Sequence, residues 1–258
     1  MTNRFAPDTF AADPRPSAPF KMLAAQSRLE LRLFLRNGEQ LLLTMLIPIT
    51  MLIGLTYLPI GEFGDHRIDK IVPATLMVAV MGTAFTGQAI AVGFDRRYGA
   101  LKRLGATALP RWGIIVGKSV AVAGVVAIQV LVLGGLGFAL GWRPSIGGLV
   151  LMLIFVAIGT ITFSTMGLLL GGTLKAEIVL ALANILWFVM LAIGSAVFAT
   201  ESLPTGLEIA ARLIPSGALA ESLTQASVNY AIDALGLVVL LIWASICGTL
   251  AARTFRFE

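Results

Sequence analysis

The chain predicts an all-α fold, a polytopic membrane protein with six transmembrane helices. Of its 258 residues 57% are hydrophobic and only 13% are charged, and the mean hydropathy is +0.90. A water-soluble protein of this size needs far more polar surface. From Leu41 onward, long continuous apolar runs are separated by short polar breaks. A helix needs about 20 mostly apolar residues to cross a hydrocarbon core of roughly 30 Å. The runs also lack the apolar–polar alternation that barrel strands keep over about ten positions. Helices satisfy their own backbone hydrogen bonds, which lipid cannot do.

The elements follow in order. Residues 1–19 are polar and carry Pro7, Pro14, Pro16 and Pro19, which reads as a disordered tail with no cleavable leader pattern. Residues 20–37 read as an amphipathic interfacial helix. At 100° per residue Lys21, Arg28, Arg32 and Arg36 fall in one sector, while Phe20, Leu23, Leu31 and Phe34 gather on another. Asn37-Gly38 offers the break before the first span. The membrane domain is residues 38–258. Its spans are expected at Glu39–Ile60, Ile71–Phe94, Gly113–Gly141, Gly147–Gly172, Ile178–Thr200 and Tyr230–Ala252. The segment 201–229 is long for a connection and holds Leu203-Pro204 and Ile214-Pro215. It predicts one or two short helices dipping into the outer leaflet or capping the outer mouth.

Six spans put both ends on one side, and basic residues choose which. Of the 19 Lys and Arg, only Arg67, Lys70, Arg143 and Arg212 would face outward, whereas the acidic residues split evenly. The positive-inside rule therefore places both ends in the cytoplasm of a multi-pass protein of the plasma (inner) membrane. The net charge of +5 reflects this topology and leaves no soluble basic surface for nucleic acid. Cys247 and His66 are the only residues of their kinds. An internal disulfide and a His/Cys metal cluster are excluded, and a metal site is not expected. No Asp, Glu, Lys or Arg sits mid-span, Lys118 and Asp233 being near span ends, which argues against the competing reading, a gradient-driven carrier or channel.

The most informative loop is 94–112, between the second and third spans. It carries Asp95, Arg96, Arg97, Tyr98, Gly99, Leu101, Lys102, Arg103 and Leu104. Leu101 and Leu104 are three apart and Arg96 and Arg103 seven apart, which fits a short helix with Gly99 as its hinge. Tyr98 and the two leucines suit a pocket on a soluble partner, with the arginines meeting its carboxylates. Gly113-Ile114-Ile115-Val116-Gly117-Lys118-Ser119 imitates a phosphate-binding loop. It has three residues between its glycines where four are needed, and it opens a membrane span. Nucleotide binding on this chain is rejected, and no cofactor is expected on it.

Asp95, Arg96, Gly99, Leu101, Arg103, Leu104 and Thr107, with Gly117 and Lys118, resemble the loop pattern of the ABC type 2 exporter permeases, the drug and lipid exporters of the daunorubicin-resistance kind. The chain departs from that pattern at Arg97, Ala100 and Ala108, where the family has Glu, Thr and Pro. The layout of basic interfacial helix, six spans and proline-containing outer segment is similar too. The resemblance implies a transport subunit with no enzyme activity of its own. It implies that the loop couples to a separate ATP-binding subunit carrying ATP and Mg. It also implies work as a homodimer or heterodimer of permeases, moving a hydrophobic or amphipathic drug or lipid outward by alternating access. Gln88, Gln129 and Asn184, inside the spans, are candidate residues of the substrate path, with helix–helix hydrogen bonding as their more ordinary use.

Overall fold

The computed structural model describes residues 17–58, 67–198 and 205–256. The expected tail falls largely outside the described residues, as do His66 and residues 201–204 of the outer segment. All regular elements among the described residues are helical. They are α1 Pro19–Arg36, α2 Gly38–Tyr57, α3 Arg67–Val80, α4 Gln88–Arg97, α5 Ala100–Gly105, α6 Arg111–Ala139, α7 Ile146–Thr173, α8 Ala176–Phe198, α9 Thr205–Arg212, α10 Pro215–Thr224 and α11 Ala234–Thr254. Widened π turns occupy Met81–Gly87 and Gln225–Asn229.

Five helices among the described residues are long and apolar enough to cross a membrane: Arg67–Arg97, Arg111–Ala139, Ile146–Thr173, Ala176–Ser195 and Ala234–Thr254. The protein is thus a polytopic helical membrane protein. The sixth expected span corresponds to α2, whose searched part, Thr44–Tyr57, is a shorter apolar helix, so the count of six is not confirmed among the described residues.

α3, the first π turn and α4 form one continuous helix at the centre of the bundle. Some 72% of its apolar window is buried, against 22–44% in the other four spans, so these four turn a face outward. All ten residues from Ile71 to Val80 are buried. A core of Leu76, Met77, Phe85, Phe155, Phe163 and Leu240 packs around it. α7 crosses closely at Gly167 and Gly171. A Cβ on Gly167 would stand 2.8 Å from the Phe85 carbonyl oxygen, and one on Gly171 would stand 2.5 Å from that of Ala89. These two glycines therefore serve contact inside the subunit.

α1 and α2 are separate helices, because Asn37 leaves the helical region at φ −83, ψ 85. α1 packs along the start of α6. Gln26 and Ser27 are buried there against Gly117, and Leu31 lies over Gly124. Lys21, Arg28, Arg32 and Arg36 all point away and are exposed. Phe20 is also exposed.

The described part of the segment after α8 folds into α9, α10 and the second π turn. α10 is enclosed by α3, α7, α8 and α11, with Pro215 to Ala220 buried in sequence. Leu219 fills the notch at Gly159. Arg212 Nη2 meets Asp233 Oδ1 at 2.9 Å, and Ser222 Oγ donates to Asp233 Oδ2 at 3.1 Å. The last span starts at Ala234 rather than Tyr230, because Tyr230 sits at φ 53 and Asp233 is extended.

Candidate functional site: an elbow and the cavities beside it

Where α4 ends, the chain turns sharply and re-enters the bundle. Gly99 makes the turn with φ 71, a left-handed value that costs a glycine nothing. The Arg103 N–H then donates to the Gly99 carbonyl at 3.1 Å, opening the six-residue helix α5. The expected short helix is present. Leu101 is fully buried, in a cluster with Val92, Ile114, Leu168 and Ala251, and Leu104 and Phe255 pack against it. This corrects one expectation. Leu101 cannot fill a partner's pocket, because its i, i+3 face with Leu104 turns into the chain's own bundle.

The opposite side of the elbow is open. Tyr98 is 67% exposed and stacks on Phe94 with ring centroids 5.9 Å apart. Lys102 and Arg103 are exposed, and Arg103 Nη2 donates to the Tyr98 carbonyl at 3.3 Å. Trp112 is 53% exposed just beyond them. Arg97 pairs with Glu177 at the start of α8. Both side chains are about half exposed, so the pair contributes little, on the order of 0–1 kcal/mol.

Two further charged residues hold the elbow to the bundle. Arg96 Nη1 donates to the Gly171 carbonyl at 3.0 Å. Lys118 is buried on α6 and bridges two carboxylates, Asp95 Oδ2 at 2.6 Å and Glu30 Oε1 at 2.8 Å. Gln26 Nε2 adds a hydrogen bond to Glu30 at 2.7 Å. One ammonium thus ties α1, α4 and α6 together. Glu30 was not among the residues singled out by sequence. Its signal was present: it is the lone acid in the basic helix α1, as Lys118 is the lone charge inside the apolar run of α6. A charge at such depth requires a partner.

The candidate path residues separate in space. Gln129 is fully buried; Thr83 Oγ1 donates to its Oε1 at 3.1 Å, and its Nε2 donates to the Thr44 carbonyl at 3.1 Å. It lines neither of the cavities below and joins α2, α6 and the π turn. Gln88 accepts from Ser164 Oγ at 2.6 Å and lines a cavity of about 180 Å³ with Glu30, Asp95 and Lys118. Asn184 lines a larger cavity of about 550 Å³ between α2, the π turn with α4, and α8. A π turn in a spanning helix marks functional sites more often than an α-helical stretch does, and here it forms the wall of that cavity.

No curated protein matches the chain. A family profile described as "ABC-2 family transporter protein" matches residues 68–253, which takes in the elbow, the five long spans, α9 and the buried α10. The chain therefore belongs to the ABC-2 transporter family and is a membrane subunit of an ABC-type transport system.

Proposed function

We propose that this subunit is an export permease whose elbow, residues 94–112, docks on a separate ATP-binding subunit. The observation that supports the reading is the two-sidedness of α5. Leu101 and Leu104 fix it to α6, α7 and the Phe255 region, while Tyr98, Lys102 and Arg103 stand exposed on the other side. A partner that grips the exposed side moves the bundle with it, and the bundle moves only if the two conformations hold the partner differently. Arg97, which stands where the resembling loops have Glu, pairs with Glu177 within the chain.

In this reading the elbow faces the cytoplasm of the plasma (inner) membrane, both ends of the chain lie on the same side, and α1 rests at the interface with its basic face outward. ATP and Mg are held by the partner. Two permease chains, identical or related, form the transport unit, and a hydrophobic or amphipathic drug or lipid passes outward along the α2–α4–α8 cavity.

Affinity purification of the tagged, membrane-extracted chain tests this. A soluble ATPase should co-purify, and Tyr98→Ala combined with Arg103→Glu should release it while the permease keeps its melting temperature. Gradient-driven transport by the chain alone, or undiminished ATPase capture by the double variant, would overturn the reading.

A further inference from the structure

The charges around the two cavities do not balance. The larger cavity and the smaller one share Asn37, Gly87 and Ala91 in their walls, so they adjoin across a sill of small side chains. Along the central helix the larger wall runs from Val78 to Phe94, roughly 24 Å at 1.5 Å per residue. Most of that wall is apolar. At the elbow end three carboxylates line the two cavities, Glu30, Asp95 and Glu39, and Lys118 is the only cation among the lining residues. Lys118 is shared by Glu30 and Asp95, and the Asp95 side chain remains 36% exposed. Glu39 makes no salt bridge among the described residues and stands exposed at the mouth. Carboxylates in a partly desolvated pocket favour a compensating cation and disfavour an anion.

We propose that the joined cavities bind an amphipathic organic cation. Its charged head sits at the junction, facing the Asp95 and Glu39 carboxylates, and its apolar body lies along Ile47, Val78, Ile90 and Phe188. This rests on the export reading and names the class of cargo within it. The electrostatics separate this site from the cavity of about 490 Å³ between α6 and α7. That cavity offers only Ser and Thr hydroxyls among apolar side chains and has no charge with which to select. Entry is open from the side, since Ala91 and Asn184 are both exposed.

The test uses the full chain in phosphatidylcholine nanodiscs, with empty discs subtracted. Equilibrium binding is measured for tetraphenylphosphonium and for tetraphenylborate, ions of one shape and opposite charge. The phosphonium should bind saturably and at least tenfold more tightly than the borate. Glu39→Gln, at an exposed first-turn position, should weaken the phosphonium by roughly tenfold, a change of about 1.4 kcal/mol. Ala91→Phe should fill the sill and remove saturable binding, with the melting temperature of each variant matched to the parent. Equal affinity for both ions, or unchanged phosphonium binding in both variants, overturns the inference. Failure of the two readings can be told apart. Absence of cation preference in a chain that still captures an ATPase sinks only the cargo class. Cation preference in a chain that captures none leaves the site standing and sinks the export reading.

Discussion

Arg96 donates from Nη1 to the carbonyl oxygen of Gly171 at 3.0 Å, so the last turn of α4 closes the last turn of α7. The final carbonyls of a helix lack intrahelical donors, and a cation there also meets the favourable end of the helix dipole. The neighbouring Gly172 carbonyl is closed in the same way by the Arg256 N–H at 3.0 Å. Arg96 is therefore an internal clamp. Replacement by Met should lower the melting temperature of the detergent-solubilised chain while ATPase capture per folded molecule stays the same. Capture lost at an unchanged melting temperature would place Arg96 in the docking surface instead.

Leu101 is completely buried, and Leu101→Ala should cost about 2–5 kcal/mol, the usual range for emptying a core leucine site. Limited proteolysis at the elbow reports the loosening, since α5 has few anchors besides this residue and Leu104. Tyr98→Ala, at an exposed position, should leave the cleavage pattern as in the parent.

Lys118, itself buried, holds the mostly buried Glu30 and the partly exposed Asp95. Lys118→Met leaves both without their cation and should destabilise the chain by about 3–5 kcal/mol. Adding Glu30→Gln and Asp95→Asn to Lys118→Met should recover much of that loss, because the network is then neutral throughout. Thermal unfolding of the single and triple variants decides it. A triple variant no more stable than the single one would show that shape, and not charge, holds the three helices.

Gly236 lies against the Ser222 hydroxyl and the Asp233 carboxylate, with no space for a Cβ. Gly236→Ala should displace Asp233 from Arg212 and detach α10 from α11, at a cost of about 1–3 kcal/mol from overpacking. A cysteine in place of Ser222, which is fully buried in the parent, should become reactive to a water-soluble maleimide in the Gly236→Ala background and stay unreactive without it.

Apolar run length located the long spans to within a few residues, and the Asn37 break between α1 and α2 followed from side-chain chemistry alone. The elbow's hinge was legible because Gly99, unlike Tyr98 and Ala100 beside it, adopts φ 71 freely. What sequence could not give was direction. Spacing placed Leu101 and Leu104 on one face but could not say whether that face met a partner or the bundle, which depends on Ile114, Leu168 and Ala251 from three other helices. The Lys118 network was hidden for a similar reason: its three members lie on helices far apart in the chain. The π turn at Met81–Gly87 carries no proline, and its two glycines and two threonines are residue types that ordinary membrane helices also use, so they did not announce it. Gln129 and Asn184 looked equivalent as amides in spans, yet packing encloses one and leaves the other on a cavity wall.

The burial of α10 has a consequence for biogenesis. α10 has ten residues, roughly 15 Å of helix, too little to lodge in a bilayer by itself. Its berth is walled on one side by α11, which the ribosome makes afterwards. The enclosure of α10 is therefore completed only when the last helix to be synthesised takes its place.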